Sequence, residues 1–183
     1  MEFIAYLEKI MKNKILLSFA IFFLIFCFIV LFKSLNNSNI YVPESISEKP
    51  LTNFNSQDLF SNKKISSDQI FIDSEFYILN IWASWCLPCR TEHHYLMEFS
   101  KNPSIKLIGL NYKDKPNSAK SFIGKFGNPY SINIVDLNGT ISIKLGAYGV
   151  PETFLINNER KIIKKIVGPL NKELVKEINL IIK

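Results

Sequence analysis

The sequence has few cysteines and no long run of like charge, and both absences exclude whole classes of protein. Its three cysteines are too few for a disulfide scaffold or for a four-thiolate zinc site. No run of like charges is longer than a pair such as Lys63-Lys64, so we expect no nucleic-acid partner. Hydrophobic residues make up 48% and charged residues 21%, which excludes a disordered protein. A length of 183 residues allows one ordinary domain and a short addition.

The addition is an uncharged apolar segment near the start of the chain. It covers the 18 residues 15–32, ILLSFAIFFLIFCFIVLF, which as a helix would be about 27 Å long, close to the hydrocarbon thickness of a bilayer. Lys9, Lys12 and Lys14 precede it, whereas only Lys33 follows directly. The positive-inside bias therefore predicts a single-pass signal-anchor over residues 15–33, with residues 1–14 in the cytoplasm and the chain after Lys33 exported.

A cleavable signal peptide is the alternative interpretation of this segment. A signal peptide has a shorter apolar core and a small-x-small cleavage site, but this core is long and no Ala-x-Ala-like triplet follows it. A lipoprotein signal is also disfavoured, because Phe26 stands before Cys27 where a small residue is required. The pattern favours an uncleaved anchor.

Two regions follow the anchor. Residues 34–48, SLNNSNIYVPESISE, are rich in Asn and Ser without an apolar period, and they are interpreted as a tether. Residues 49–183 form the predicted domain, in which apolar strands alternate with helical patterns. The predicted strands cover residues 76–82, 105–110, 132–135, 154–156 and 162–167.

Helices are predicted after Cys89, over residues 118–126, and from an Asn171 N-cap to the end. In the first of these helices the predicted inner stripe is Cys89, His93, Leu96 and Ser100, with Phe99 beside it. Residues 51–72 are expected to add one or two edge strands. This order of elements predicts an α/β sandwich with a central mixed sheet.

Cys86 and Cys89 are the candidate catalytic pair, since they follow a buried strand and open a helix. At a helix N-terminus, unpaired N–H groups and the macrodipole stabilise a thiolate. Thiolate is the attacking species in disulfide exchange, so we expect Cys86 to be the nucleophile. Cys89 lies one turn later and would resolve the mixed disulfide. Pro88 suits the first helical turn, where its missing N–H costs nothing.

Other roles for these cysteines have less support. A metal site could combine Cys86 and Cys89 with His93 and His94, but such sites usually draw ligands from separated segments. Haem attachment requires His directly after the second cysteine, and Arg90 occupies that position. His93 is interpreted as a half-buried structural histidine and His94 as a surface residue. We predict no metal and no cofactor beyond a redox-active Cys86–Cys89 disulfide.

Pro151 is a second special residue, because it directly precedes a predicted strand. A cis proline here would leave the Val150 backbone free to pair with an extended peptide. The alternative is a trans turn proline, which base rates favour.

Several longer runs, taken together, resemble one family. Trp85-Cys86-x-Pro88-Cys89 after a strand, with Pro151 before a late strand, resembles the thioredoxin fold. More narrowly, residues 49–180 resemble the membrane-anchored thiol:disulfide interchange proteins of cytochrome c maturation, the CcmG/DsbE type. The supporting runs are residues 79–86 (LNIWASWC), 89–93 (CRTEH), 109–114 (GLNYKD), 127–130 (GNPY) and 146–156 (GAYGVPETFLI).

The resemblance implies a thioredoxin-like three-layer sandwich. It also implies a reductase anchored by a single pass in a bacterial inner membrane, with its C-terminal domain in the periplasm. Such a reductase keeps the cysteines of apocytochrome c, or of a haem-lyase partner, reduced before haem attachment. It receives electrons from a membrane thiol carrier of the DsbD/CcdA kind. The resemblance also implies that Pro151 is cis and faces the cysteine pair, and that Trp85, Tyr112, Val150 and Glu152 bind substrate with it.

One position departs from ordinary thioredoxins, which carry a buried aspartate six residues before the nucleophile. Asn80 stands there and cannot take the proton of Cys89, so Glu152 or water is the hypothesised acceptor. A disulfide-forming oxidase is the alternative function, although Leu87-Pro88 between the cysteines lacks the Pro-His pair of strong oxidants. A metal- or haem-binding thioredoxin-like module is a further alternative.

Overall fold

The computed structural model describes residues 2–36 and 48–182. The chain divides into two compact units, Met1–Ile40 and Tyr41–Lys183. The first contains one helix, α1 (Glu2–Asn36), which includes the predicted anchor. Most of the predicted tether, residues 37–47, lies outside the described residues.

The second unit is a mixed sheet with helices on both faces. Its strands are β1 (Lys49–Pro50), β2 (Asn55–Gln57), β3 (Lys64–Ser66), β4 (Phe76–Trp82), β5 (Ile105–Tyr112), β6 (Ile132–Asp136), β7 (Glu152–Asn157) and β8 (Lys161–Val167). Its helices are α2 (Ser67–Ile70), α3 (Leu87–Phe99), α4 (Pro116–Phe126), α5 (Thr140–Lys144) and α6 (Lys172–Ile181).

Six strands form the central sheet in the order β1-β8-β7-β4-β5-β6. β4 pairs in parallel with β5 and antiparallel with β7, and β5 pairs in parallel with β6. The β7–β8 hairpin is antiparallel. The mixed sheet and the hairpin predicted from the sequence are therefore confirmed.

Alternation along β4 assigns its side chains to two cores. Ile78 and Trp82 belong to the cluster that holds Cys86, Cys89 and residues of α3, α4 and α6. Tyr77, Leu79 and Ile81 belong to the cluster on the opposite face, which holds residues of α2 and α5. The first of these faces is the one that carries the cysteine pair.

Two strands lie in the region before β4, as predicted for residues 51–72, but they are not edge strands of the central sheet. β2 and β3 form a separate two-stranded sheet, and the edge strand paired with β8 is β1, which lies before that region. The hairpin of β2 and β3 lies against β6 through a hydrogen bond from Leu59 N to Asn133 O at 2.8 Å. Polar strands of three residues leave no periodicity long enough to place them from sequence.

Two helix details also differ from the predictions. Ser100 is the exposed C-cap of α3, and Glu92 joins the predicted Cys89, His93, Leu96 and Phe99 among the buried residues of that helix. The short helix α5 was not predicted, because its sequence TISIK is rich in β-branched residues that favour strands.

Candidate active site

The cysteine pair lies where β4 passes into α3. Cys86 is the N-cap of α3, and Cys89 lies in its first turn. They form a disulfide with a Cα–Cα distance of 5.3 Å, and Cys86 Sγ accepts a hydrogen bond from Cys89 N at 3.1 Å. Pro88 lies in the first turn of α3, where its missing N–H group would have no partner within the helix. This is the helix-terminal position that stabilises a thiolate at Cys86 when the pair is reduced.

Both cysteines are buried, but the residues beside Cys86 are not. Cys86 and Cys89 are 4% and 3% exposed, whereas Trp85 and Leu87 are 58% and 68% exposed. Large apolar side chains left in solvent beside a reactive group are typical of a docking surface. Trp85 and Leu87 therefore leave exposed apolar surface on both sides of Cys86 in the chain.

Asp114 holds the loop that leads into Cys86. Its Oδ2 accepts hydrogen bonds from Ser84 N at 2.6 Å and Asn111 Nδ2 at 3.1 Å. Its Oδ1 accepts from Ser84 Oγ at 2.9 Å and from Lys115 N at 2.8 Å. Hydrogen bonds to an ionised carboxylate are stronger than neutral ones. The end of β5 is thus tied to the segment two residues before the nucleophile.

Trp85 and Tyr112, both predicted to bind substrate, are placed by the same loop. The indole Nε1 of Trp85 donates to Lys113 O at 3.2 Å, which fixes the exposed ring. Tyr112 is partly buried, and the Lys113 ammonium lies 5.2 Å from its ring centroid. Their roles in binding a client remain predictions.

The Val150–Pro151 peptide bond is cis. Val150 is partly buried and packs against the cluster that contains Cys86 and Cys89. Pro151 itself is buried, and its carbonyl accepts from Gly168 N at 3.0 Å. The cis bond is the one that the resemblance implied, whereas the placement of Pro151 opposite the cysteine pair stays a prediction.

Glu152 holds the loop before Pro151 through hydrogen bonds to its backbone. Its Oε1 accepts hydrogen bonds from the backbone N–H groups of Tyr148 and Gly149. Its Oε2 lies 3.1 Å from Lys165 Nζ, and both side chains are buried. Glu152 pairs across the ladder with Ile81, whose side chain lies on the face opposite α3. Its carboxylate is thus on the far side of the sheet from Cys89.

A buried polar network lies on the cysteine face of the sheet. Asn80 Nδ2 donates to Glu92 Oε1 at 2.9 Å and to Thr153 Oγ1 at 3.0 Å. Asn80 Oδ1 accepts from Tyr130 OH at 2.8 Å. Glu92 Oε2 accepts from Leu170 N at 2.7 Å. All four side chains are buried, so the network is shielded from water.

Glu92 is the titratable member of this network that changes charge near neutral pH. Burial raises the pKa of Glu92 from 4.5 to about 7, although its hydrogen bonds from Leu170 and Asn80 oppose the shift. Burial, and then the charge of Glu92, raise the pKa of Tyr130 well above its usual value. Glu92 lies three residues after Cys89 on α3, and residues at this spacing share a helix face.

The two histidines are placed as predicted. His93 is largely buried, and its Nε2 lies 3.1 Å from Gly127 O. Burial lowers the pKa of His93, so its ring is neutral at neutral pH. His94 is exposed. Within residues 2–36 and 48–182, no group of three or more His, Cys, Asp or Glu side chains is arranged to hold a metal.

Sequence reasoning did not identify Glu92, Tyr130 or Asp114 as functional. The sequence does place Glu92 three residues after Cys89, but a glutamate in a helix is usually exposed to solvent. Tyr130 and Asp114 act through contacts with residues 50 and 30 positions away. No local pattern reveals partners at such separations.

Comparison with known proteins agrees with this site. The Redoxin family matches residues 44–180. The thiol:disulfide interchange protein DsbE of Escherichia coli (strain K12) is 33% identical over 171 residues, covering 91% of this chain and 92% of that protein. DsbE of Vibrio cholerae is 42% identical over 123 residues, covering 67% of this chain and 66% of that protein.

Solved structures agree on the fold. A putative DsbE from Chlorobium tepidum superimposes with a TM-score of 0.63 at 21% identity, covering 74% of this chain and 97% of that one. A DsbF homologue from Corynebacterium diphtheriae also gives 0.63, at 24% identity, covering 73% and 87%. The family match, the DsbE relatives and the disulfide at the start of α3 together show that the chain belongs to the Redoxin family of the thioredoxin superfamily, among thiol:disulfide interchange proteins of the DsbE type, and that it is a thiol–disulfide oxidoreductase.

Proposed function

We propose that this protein is a membrane-anchored periplasmic reductase. Its clients are the cysteines of apocytochrome c, or of a haem-lyase partner, before haem attachment. A membrane thiol carrier of the DsbD/CcdA kind supplies its electrons. The observation that carries the proposal is the Cys86–Cys89 disulfide at the N-terminus of α3, in a chain that resembles the DsbE proteins along most of its length.

The anchor is supported by the composition of α1. The segment Lys14–Lys33 has a mean hydropathy of 3.2, and none of it is buried within the protein. Apolar side chains such as Phe22 and Leu24 are therefore uncovered, and a bilayer is the environment that suits a helix apolar on all sides. The excess of lysine before the span supports a cytoplasmic N-terminus and an exported redox domain.

The first step is attack by the reduced protein on a client disulfide. The Cys86 thiolate, stabilised at the start of α3, attacks one client sulfur. A bond forms between Cys86 Sγ and that sulfur, the client S–S bond breaks, and the other client sulfur leaves as a thiolate. The exposed Trp85 and Leu87 contact the arriving client, and the Val150 backbone aligns its chain.

The second step releases the client. Cys89 loses its thiol proton to Glu92 and attacks Cys86 Sγ, which forms the Cys86–Cys89 disulfide and expels the second client thiolate. Two electrons pass from the protein to the client, and the proton held by Glu92 balances the charge of the departing thiolate. A membrane dithiol then reduces the Cys86–Cys89 disulfide by the same exchange in reverse.

The geometry supports Glu92 over Glu152 as the proton acceptor. Glu92 lies on the same helix and face as Cys89, and no cation pairs with it among its described hydrogen-bond partners. Its pKa of about 7 is suited to a general base at neutral pH. Glu152 lies on the opposite face and is paired with Lys165.

Trapping the client tests the proposed function directly. In Cys89→Ser the mixed disulfide at Cys86 cannot be resolved, so the client should remain covalently attached and be identifiable by mass spectrometry. Cys86→Ser is the matched control, since it removes the nucleophile and should trap nothing. An adduct with the membrane thiol carrier is also expected, but if the remaining adducts contained neither a cytochrome c polypeptide nor a haem-lyase component, the proposed clients would be contradicted.

A redox titration of Cys86–Cys89 separates the reductase from an oxidase. A potential well below about −120 mV is expected of a reductant, because about −120 mV is typical of a strong disulfide-forming oxidant. A measured potential near that oxidant value would reverse the direction of electron flow proposed here.

A further inference from the structure

A basic cleft lies directly beside the redox pair. It has a volume of about 390 Å³ and lies between the loop before Cys86, the start of α3, and α4. The residues that line this basic cleft are Ser84, Arg90, Asn117, Ser118, Ser121, Phe122, Lys125 and Phe126. Two of the eight are cationic and none is acidic, so the cleft carries a formal charge of +2 at neutral pH.

The two cations of the basic cleft are held but not neutralised. Arg90 Cζ lies 5.1 Å and Lys125 Nζ lies 5.3 Å from the ring centroid of Phe126. A cation–π contact of this kind positions a cation without removing its charge. Within the part of the chain that the structure describes, neither Arg90 nor Lys125 takes part in an ion pair.

The neighbours of the basic cleft do not cancel its charge. Phe122 and Phe126 pack on His93, whose burial lowers its pKa and keeps the ring neutral. Asp114 bonds to Ser84 at the edge of the cleft, but its two oxygens already accept four hydrogen bonds. Lys113 and Lys115 flank Asp114 in the chain, so this loop is also net positive.

The basic cleft is within reach of any peptide joined to Cys86. Ser84 is two residues before Cys86, and Arg90 directly follows Cys89. An extended peptide advances about 3.3–3.6 Å per residue, so a side chain only a few positions from the client cysteine could reach the cleft. The hydroxyls of Ser118 and Ser121 and the amide of Asn117 could also donate hydrogen bonds to a bound oxygen.

We propose that the basic cleft binds an acidic side chain of the client, located a few residues from the client cysteine. The inference rests on the proposed function for the identity of the client, but the binding itself does not require disulfide exchange. A carboxylate there would be attracted by Arg90 and Lys125 and would orient the client before its sulfur reaches Cys86. The cleft therefore selects among clients by charge.

Binding of cysteine-free peptides tests the cleft without exchange. The probe is a fluorescent peptide in which serines take the place of the two client cysteines and Asp and Glu residues flank them. The matched peptide carries Asn and Gln at those flanking positions. Each is titrated by anisotropy with the full-length oxidised protein in a neutral detergent. We expect Arg90→Gln combined with Lys125→Gln to raise the Kd for the acidic peptide about three- to tenfold, and to leave the amide peptide unchanged.

The matched control removes the same charge elsewhere. Lys101→Gln combined with Lys176→Gln alters two exposed lysines outside the basic cleft and should not weaken binding of the acidic peptide. Arg90→Lys keeps the charge and should retain most of the affinity. Equal affinity of wild type for both peptides, or equal loss in the control, would overturn the proposal. Failure of the proposed function would instead appear in the trapping experiment, independently of these affinities.

Discussion

Asn80 and Glu92 join the central strand to the catalytic helix through a hydrogen bond of 2.9 Å from Nδ2 to Oε1. The asparagine occupies the position where ordinary thioredoxins carry an acid, and the acid is here on the helix instead. An amide at position 80 can donate to the carboxylate but cannot take its proton. In the proposed mechanism, the base function therefore moves to Glu92 on α3, one turn after Cys89.

Replacing Glu92 with Gln should slow resolution of the mixed disulfide. The amide cannot accept the proton of Cys89, and general base catalysis typically contributes about 10²–10⁴-fold. Because solvent water can replace part of this function, we expect a loss near the lower end, about 100-fold. Rapid acid quench followed by mass spectrometry would show the mixed disulfide accumulating. The wild-type rate should rise with pH through about 7, and the variant should lack this rise.

Glu98→Gln is the matched control on the same helix. Glu98 is exposed, so its loss should change neither the rate nor its pH dependence. If Glu92→Gln kept both the wild-type rate and the inflection near pH 7, Glu92 would not be the acceptor. Glu152→Gln would then be the next variant to measure.

Glu92 should also give the oxidised protein a distinctive pH dependence of stability. Its folded pKa of about 7 lies above the usual glutamate pKa of 4.5, so between these pH values the folded state holds a proton that the unfolded state has lost. The free energy of unfolding should therefore fall as pH rises from about 4.5 to 7, by up to about 3 kcal/mol. Urea denaturation at several pH values measures this slope.

The comparison that isolates Glu92 is between slopes rather than absolute stabilities. Glu92→Gln changes the hydrogen bonds to Asn80 and Leu170, which shifts the free energy of unfolding at every pH. The glutamine side chain cannot titrate, however. The decline between pH 4.5 and 7 should be smaller in this variant and unchanged in Glu98→Gln. Equal declines in all three proteins would assign the pH dependence to other groups.

Asp114 should stabilise the loop before Cys86 more than a surface aspartate does. Asp114→Ala leaves Ser84 N and Asn111 Nδ2 without their acceptor, and hydrogen bonds to charged groups are worth about 1.5–3 kcal/mol each. We expect a loss of about 3 kcal/mol in the free energy of unfolding, measured by denaturation. Asp114→Asn keeps one acceptor oxygen and should lose less.

Asp73→Ala is the comparison for Asp114. Asp73 forms an exposed ion pair with Lys106, and such pairs contribute about 0–1 kcal/mol. A similar loss in both alanine variants would show that Asp114 has no special part in holding the loop.

Much of this fold could be predicted because its central elements have long, uniform patterns. The apolar run of β4 and the hairpin of β7 and β8 were predicted within two residues of their bounds. Asn171 caps α6 by accepting from Leu174 N at 2.9 Å, as its sequence position indicated. Local chemistry is sufficient where a single segment determines its own structure.

The features that were missed depend on partners outside their own segment. Asp136, in the strand before α5, accepts hydrogen bonds from Ile141 N and Ser142 N in the first turn of that helix, and these bonds outweigh the strand preference of TISIK. Glu92 is buried because Asn80 and Leu170 provide donors for it. Neither donor is near Glu92 in the sequence, so its burial could not be inferred from the local pattern.

Gly109 should be intolerant of even one added carbon, because it makes room for Tyr130. A Cβ at this position would lie 2.6 Å from Tyr130 Cδ2, within the ring that reaches Asn80 through its hydroxyl. Overpacking in a filled core costs about 1–3 kcal/mol, so Gly109→Ala should lower the free energy of unfolding by this amount. Gly124→Ala is the matched control: a Cβ there meets nothing within 4 Å, and alanine in a helix should be stabilising.

The clash with Tyr130 can be separated from a general intolerance at position 109 by a double-mutant cycle. Tyr130→Ala removes the ring that an alanine at position 109 would meet. Gly109→Ala should therefore lower the free energy of unfolding less in the Tyr130→Ala background than in wild type. Additive costs would mean that the strain lies in the backbone of β5 rather than in the contact with Tyr130. The expected coupling instead identifies Gly109 as the residue that lets Tyr130 reach the Asn80–Glu92 pair.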